Sequence, residues 1–223
     1  MVLRILQYVV NGLIGFAALS IVLVLVTRFI PIPYTATMLM DEHSITRDWE
    51  PLSNIDRDMV RAVIAAEDGK FCTHDGFDRE AIEQALGERA RGERERGAST
   101  ISQQTAKNVF LWQRGGWFRK GLEAWFTFLI ENLWTKRRIM EVYLNVAETG
   151  VGTYGAEAGA QRYFGHSAAR MSREEAARMA AALPSPKTRE VVSPGGFTRR
   201  YGNTIAARIG VVQRDGLDSC VYE

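Results

Sequence analysis

The chain contains few residues of the kinds that bind metal ions or form cross-links. Its 223 residues include only two cysteines, Cys72 and Cys220, and three histidines. The spacing of the cysteines matches no zinc-binding pattern. They would either pair as a disulfide in an oxidising compartment or remain two free thiols.

Internal repeats are absent, and few stretches alternate polar and apolar residues with the period of two that half-buried strands show. Helical signals prevail instead. Apolar residues recur at helical spacing between residues 59 and 64. Ser172 and Glu175 form a capping-box pattern before an alanine-rich segment. We therefore predict a mostly α-helical domain.

Charge is missing from the amino-terminal segment between Arg4 and Arg28. The 23 residues from 5 to 27 are long enough to cross a bilayer as one helix. A cleaved signal peptide is the alternative, but its apolar region is about 7–15 residues long and precedes a small-residue cleavage site, which this segment lacks. Arginine, aromatic residues and prolines follow at 28–34, as at a membrane interface. We predict an amino-terminal stub and retained transmembrane anchor over 1–30, an extended connector over 31–52 and a folded domain over 53–223. Arg4 and Arg28 flank the anchor on both sides, so the charge pattern leaves its orientation open.

The charge beyond the anchor is balanced but unevenly distributed. The two flanking arginines account for the net charge of +2. Acidic residues predominate between 41 and 80, and basic residues between 107 and 138. Between 88 and 96 the charges alternate in sign, which predicts a solvated loop. A concentrated cationic stretch in a neutral domain suits a phosphate-bearing ligand rather than nucleic acid, and we expect no nucleic-acid partner.

Glu67 continues the apolar face of its predicted helix, because it lies four residues after Val63. A carboxylate there is either paired or has its pKa raised by burial. Taken alone, a structural ion pair would be the commoner explanation. The neighbours favour a functional site, since the pattern E-D-x-x-F-x-x-H-x-G-x-D is too specific for a generic helix end and includes Asp68, Phe71 and His74.

A second polar block covers residues 97–108. A glycine before Ser99 and Thr100 predicts a helix N-cap there. Hydroxyls, amides, a lysine and the open amides of a helix start suit an anion with many oxygens, such as a sugar diphosphate. A polar surface helix explains this block equally well by itself. The candidate ligands are Ser99, Thr100, Gln103, Gln104, Lys107 and Asn108.

A third block places Arg119, Lys120 and Glu123 on one side of a predicted helix. An exposed ion pair four residues apart is the simplest interpretation. Seven aromatic residues between 110 and 128 favour a different interpretation, in which this surface enters a membrane interface. An aromatic core is the competing explanation for them.

These three blocks, with K-R-R-I-M-E-V-Y-L-N at 136–145 and G-A-E-A-G-A-Q-R-Y-F-G at 155–165, resemble the ordered signature motifs of the peptidoglycan glycosyltransferase family. The resemblance covers about residues 55–190. It implies a mainly α fold, a two-lobed lysozyme-like helical domain preceded by one transmembrane helix. That domain would lie on the outer face of the bacterial cytoplasmic (inner) membrane. The implied partners are lipid II, the growing lipid-linked glycan strand, membrane lipid, and proteins of wall synthesis or division.

The resemblance also implies roles for individual residues. Glu67 would be the general base that deprotonates the sugar 4-hydroxyl of lipid II as it attacks the anomeric carbon of the strand with inversion. Lys107, Arg119 and Lys120 would stabilise the departing undecaprenyl diphosphate, and Glu123 would orient these cations or assist departure. The product would be a β-1,4-linked glycan strand. The other substrate-binding candidates are Asp68, Phe71, His74, Ser99, Thr100, Gln103, Gln104, Asn108, Glu141, Tyr143 and Asn145.

The chain departs from the family pattern at two positions. Ala98 stands where relatives have a second glycine. Gly115 stands where relatives have an arginine, and Arg114 precedes it, so Arg114's role as a phosphate ligand is open.

No cofactor is required by this scheme. A divalent ion, Mg²⁺ or Mn²⁺, would help to neutralise the diphosphate, but no ligand cluster compels one.

Two alternatives remain at this stage. A muramidase or lytic transglycosylase on a similar fold would need a protonated glutamate as general acid, and the cationic block would be unexplained. A non-enzymatic, membrane-tethered wall-assembly protein would give no reason for Glu67 on an apolar face. Bifunctional relatives add a transpeptidase domain with an S-x-x-K nucleophile motif, which this sequence does not contain, so we expect a monofunctional polymerase.

Overall fold

The computed structural model describes residues 1–92, 97–113 and 115–222. Most of these residues are helical, which confirms the predicted mainly α fold class. Short 3₁₀ helices lie at Leu52–Asn54 and Ala168–Arg170. The other elements are α1 (Val2–Thr27), α2 (Ala36–Leu39), β1 (Thr46–Arg47), α3 (Arg57–Glu67), α4 (Arg79–Ala90), α5 (Ile101–Phe110), α6 (Gly116–Leu133), α7 (Lys136–Val146), β2 (Glu148–Gly150), β3 (Thr153–Tyr154), α8 (Ala156–Phe164), α9 (Arg173–Ala182), α10 (Gly196–Arg214) and α11 (Ser219–Tyr222).

The first helix, α1, is long and apolar enough to cross a membrane and is mostly exposed along its length. Only Ser20, Val24 and Thr27 on this helix are buried against the rest of the chain. An exposed apolar helix of 26 residues at the amino terminus fits the predicted membrane anchor.

The segment predicted as an extended connector contains folded elements. The hydroxyl of Thr35 accepts a hydrogen bond from the backbone N–H of Met38 at 3.2 Å and so starts α2. Strand β1 pairs in parallel with β3, which also pairs antiparallel with β2. Met38 and Leu52 are buried in the main core. The extended conformation is therefore wrong at α2, and a domain boundary at residue 53 stays a prediction.

Two groups of helices enclose the core. In one group α3 packs against α9 and α10, and in the other α5 packs against α6 and α7. The cysteines resolve the alternative left open by the sequence, since Cys72 and Cys220 form a disulfide with Cα atoms 5.5 Å apart. This bridge ties the segment after α3 to α11.

Helix α4 corrects the prediction of a loop from residue 88. Asp78 caps the helix by accepting from the N–H of Ala81 at 3.0 Å, and the helix continues to Ala90. Glutamate, arginine and alanine are strong helix formers, so the helix persists although none of its residues is buried. Residues 93–96 of the predicted loop lie outside the described residues.

Candidate active site

The end of α3 meets the start of α5 at the centre of the site. Glu67 is the last residue of α3, and Asp68 leaves the helix with φ of −161°. The carboxylate of Asp68 accepts a hydrogen bond from the N–H of Ile101 at 3.0 Å, in the first turn of α5. Asp68 therefore fixes the two helix ends against each other, because it satisfies an amide that has no partner within its own helix.

The predicted helix N-cap at the start of α5 is confirmed, and the structure shows it to be a complete capping box. Thr100 accepts from the N–H of Gln103 at 3.1 Å, and the Gln103 side chain accepts from the N–H of Thr100 at 3.0 Å. The Thr100 hydroxyl also donates to the carbonyl of Gly76 at 2.7 Å. Both side chains are buried and are occupied by these bonds, whereas Ser99 beside them is exposed.

One oxygen of Glu67 is held and the other has no partner. The amide of Gln104 donates to Oε2 of Glu67 at 2.7 Å. The hydroxyl of the buried Tyr143 donates to the other end of that amide at 3.4 Å. Oε1 is buried, and no described residue donates to it. This is the geometry of a positioned proton acceptor.

Burial and the neighbouring polar groups act on the pKa of Glu67 in opposite directions. Burial raises the pKa of Glu67, which disfavours the carboxylate form. The hydrogen bond from Gln104 and the positive charges of Arg189 and Lys107 oppose that shift. The carboxyl group therefore has a raised pKa and so binds a proton more readily than an exposed glutamate does.

Two cavities lie close to Glu67 or to its partner Gln104. One, of about 260 Å³, is lined by Glu67 itself, Lys70 and the turn from residue 97 to 100. A second, of about 160 Å³, is lined by Gln104, Lys107, Asn108 and Tyr143. It adjoins a third of about 520 Å³, with which it shares Thr37, Gln113, Glu148 and Tyr154. Glu67 lines the first of these cavities, and its hydrogen-bond partner Gln104 lines the second.

Two cations contact one buried carboxylate, and a third, Lys107, lines the second cavity and interacts with that carboxylate through its charge. Glu123 is 3% exposed; Arg119 binds it at 2.6 Å, and Lys120 also contacts it. Burial lowers the pKa of Lys107, and the charges of Arg119 and Lys120 lower it further while Glu123 opposes them. Because Glu123 is buried, this is not an exposed surface ion pair. The cluster carries excess positive charge, which a diphosphate would neutralise.

Helix α6 divides the aromatic stretch into two parts. Trp117 and Phe118, in its first turn, are 84% and 74% exposed. Further along, Phe126 is buried and stacks on Phe110 with ring centroids 4.6 Å apart. The exposed rings at the start of α6 fit the predicted interfacial surface, which stays a prediction. Phe126 belongs to the competing aromatic core, while Phe128 near it is exposed.

Several predicted substrate ligands also support the fold of the site, and their contact with substrate stays a prediction. Phe71 is fully buried, and His74 contacts Asp68 through Nε2 at 2.9 Å while its Nδ1 accepts from the N–H of Gly76 at 3.0 Å. Gly76 has φ of +88°, and a Cβ there would lie 2.8 Å from the side chains of Glu131 and Thr127. The first motif therefore folds the turn after α3.

The fourth motif likewise fastens backbone rather than lining a cavity. Glu141 accepts from the N–H of Leu52 at 3.0 Å. Asn145 donates to the carbonyl of Glu50 at 2.8 Å and accepts from its N–H at 2.8 Å. These bonds hold residues 50–52 on α7. Of the predicted residues in this motif, only Tyr143 faces the base and a cavity.

The sequence did not identify Arg189 as a site residue. It lies in the loop after α9, where Nη1 donates to the carbonyl of Ala181 at 2.7 Å and the guanidinium lies 5.2 Å from the ring centroid of Phe197. Its charge lowers the pKa of Glu67. Tyr201 on α10 also reaches the base's helix by donating to the carbonyl of Ala66 at 2.7 Å. No recognisable motif surrounds either residue.

The departures from the family pattern have different outcomes. Arg114 lies outside the described residues. Gly115 has φ of +145°, and a Cβ there would lie 2.8 Å from Trp112 and 2.9 Å from Arg119. An arginine at position 115 would therefore be strained on this backbone.

Within the described ranges no group of three or more metal-ligating side chains is present, and assistance by a divalent ion stays a prediction.

Comparison with known proteins agrees with this arrangement. Residues 35–209 match the family model described as Transglycosylase. A protein from Caulobacter vibrioides, named biosynthetic peptidoglycan transglycosylase, is 50% identical over 90% of this chain and 89% of its own length. Proteins of the same name from Rhodospirillum centenum and Pseudomonas aeruginosa are 45% and 48% identical, covering 100% and 84% of this chain and 98% and 85% of their own lengths. With the model matching most of the chain, this protein belongs to the transglycosylase family.

Proposed function

We propose that this protein is a peptidoglycan glycosyltransferase that polymerises lipid II into β-1,4-linked glycan strands in cell-wall synthesis. One observation carries the proposal. Glu67 is a buried carboxylate with one oxygen that no described residue donates to. It lines one cavity, accepts a hydrogen bond from Gln104 of a second, and interacts with the charge of Lys107 in a cluster of three cations. Such a site combines a proton acceptor with a receptor for a leaving diphosphate.

The chemistry follows from these positions. The 4-hydroxyl of lipid II transfers its proton to Oε1 of Glu67, and the hydroxyl oxygen forms a bond to the anomeric carbon of the lipid-linked strand. The bond from that carbon to the diphosphate breaks, and the electron pair leaves with the undecaprenyl diphosphate. Lys107, Arg119 and Lys120 stabilise the negative charge that develops there, while Glu123 holds two of them in place. Diphosphate is already a good leaving group, so the step needs cations more than a second proton donor.

A lytic role is not favoured. Cleavage of a glycosidic bond without a phosphate would require Glu67 to be a proton donor. The pKa of Glu67 is raised, which by itself suits either reaction. The cation cluster around Glu123 would have no anionic partner in such a reaction, and the similar proteins carry the name of a biosynthetic enzyme.

The proposed location is the inner membrane of a bacterium, with the catalytic domain on its periplasmic face. The Cys72–Cys220 disulfide supports this orientation, because such bonds persist in oxidising compartments and not in the cytoplasm. Helix α1 would then cross the membrane from a cytoplasmic amino terminus. We expect the intact chain to fractionate with membranes and to resist salt extraction. A soluble product beginning near residue 30 would contradict the retained anchor.

The deciding experiment gives the purified full chain lipid II in detergent and measures polymer formation. Polymer should appear with the unmodified chain, and purified sacculi should remain uncut. Sacculus cleavage without polymer would establish the lytic alternative, and absence of both would refute the proposal. Partners among wall-synthesis or division proteins remain a prediction from family resemblance.

A further inference from the structure

The membrane helix is docked on the catalytic domain along one stripe. Phe16 lies 6.5 Å from the ring centroids of both Trp125 and Phe126 on α6, and further along α1 Ser20, Val24 and Thr27 are the buried residues. Residues 16, 20, 24 and 27 share one helical face. The stripe is about 16 Å long at the α-helical rise, which is roughly half of the hydrocarbon thickness of a bilayer.

The carbonyl end of this helix is held by two side chains of the catalytic domain. The indole N–H of Trp134 donates to the carbonyl of Val24 at 2.8 Å. The guanidinium of Arg138 donates to the carbonyls of Thr27 at 2.9 Å and Ile30 at 2.5 Å. The Thr27 carbonyl belongs to the last turn, whose carbonyls lack partners within a helix, and a cation there also interacts favourably with the helix dipole. The Val24 carbonyl accepts from the N–H of Arg28 as well, so the indole N–H of Trp134 adds a second bond to it.

Arg138 is itself fixed from several directions. Its guanidinium binds Glu141, which also accepts from the backbone of Leu52. It lies 5.3 Å from the ring centroid of Trp49 and 5.9 Å from that of Trp134. The end of the membrane helix, the segment at 49–52 and α7 therefore converge on one arginine. A flexible tether between the membrane helix and the catalytic domain would not require these contacts.

We infer that Arg138 and Trp134 clamp the membrane helix and so set the depth and tilt of the catalytic domain at the bilayer. They are positioning residues, because they touch neither cavity beside Glu67. An unclamped single helix samples a range of tilts, and a domain on a loose tether would move with it. The clamp holds the exposed start of α6 at the lipid surface, where it favours substrate that is anchored in the bilayer over substrate that is free in water.

The test uses the full chain in liposomes with Arg138→Ala, Arg138→Lys and Trp134→Phe. Lysine retains the charge but loses the fork that reaches two carbonyls, and phenylalanine retains the ring but loses the donor. Arg137→Ala is the matched control, because Arg137 is adjacent on α7 but donates to the carbonyl of Val221 and not to α1. Spin labels at the exposed positions Leu13 and Phe128 report the distance between α1 and α6.

We expect a narrow distance distribution in the unmodified chain and in the control, and a broad one in the three clamp variants. We also expect a several-fold lower polymerisation rate with lipid II in liposomes but an unchanged rate with a short-chain, water-soluble lipid II analogue. Equal losses on both substrates, or a narrow distribution in every variant, would overturn the inference. The activity comparison rests on the proposed function. If the unmodified chain polymerises neither substrate, that function fails, and the spin-label distances still decide whether the clamp exists.

Discussion

Glu67→Gln isolates the proton transfer from every other property of the site. Glutamine has the same length and nearly the same shape as glutamate. Its carbonyl oxygen can accept the hydrogen bond that Gln104 donates at 2.7 Å. Its amide nitrogen replaces Oε1, the oxygen that has no donor among the described residues. The substitution therefore keeps the support of the side chain and removes only the atom that would receive the proton.

The expected loss is that of a general base. Polymerisation should fall about 10²–10⁴-fold, which corresponds to about 3–5 kcal/mol of transition-state stabilisation. Binding of a diphosphate-bearing inhibitor should be nearly unchanged, because Lys107, Arg119 and Lys120 lie on other helices than Glu67. Lipid II polymerisation and inhibitor binding are measured on the same preparation. Glu83→Gln, the same change on an exposed site of α4, is the matched control and should retain full activity.

Unfolding can be excluded as the cause of the loss by a thermal melt. Burial raises the folded-state pKa of Glu67 above its ordinary value of 4.5. Protonated Glu67 therefore contributes stability that is fully present below its pKa in the unfolded chain. This contribution is lost as the pH rises through its pKa in the folded protein. At neutral pH the carboxylate destabilises the fold, so Glu67→Gln should melt at the same or a higher temperature. Full polymerisation by this variant would show that the base is elsewhere.

Three further predictions concern the cations and the disulfide. Lys120→Ala should lower turnover about 10²–10³-fold, as loss of one donor to a developing charge does, while thermal unfolding stays unchanged; a collapse in stability would favour a structural role. Arg189→Gln should raise the pKa of the general base, because it removes an opposing positive charge, so the acidic limb of the activity profile should move to higher pH, whereas the exposed Arg199→Gln should leave it in place. Cys72→Ser should cost up to about 5 kcal/mol by the chain-entropy relation for a long loop, since the bridge to Cys220 spans 148 positions; equal denaturant midpoints with and without the bridge would contradict this.

The local features of the fold could be predicted from the sequence. The absence of charge between Arg4 and Arg28 predicts the apolar helix, and the glycine before Ser99 and Thr100 predicts the N-cap that starts α5. The position of Glu67 on an apolar face predicts its burial at the end of α3. Each of these depends on residues a few positions apart, where periodicity and capping chemistry decide the structure.

Which residues face the cavities was decided only by the tertiary structure. His74 shares a conspicuous motif with Glu67, yet it contacts Asp68 and supports the turn, whereas Asp68 both supports the turn and lines a cavity. Arg189, which lies in no recognisable motif, lowers the pKa of Glu67 through its positive charge. The pairing of the cysteines and the docking of α1 on α6 likewise join residues far apart in the chain. A sequence pattern records that polar groups are needed, but burial and hydrogen bonding from distant segments determine whether each one supports the backbone or faces the substrate.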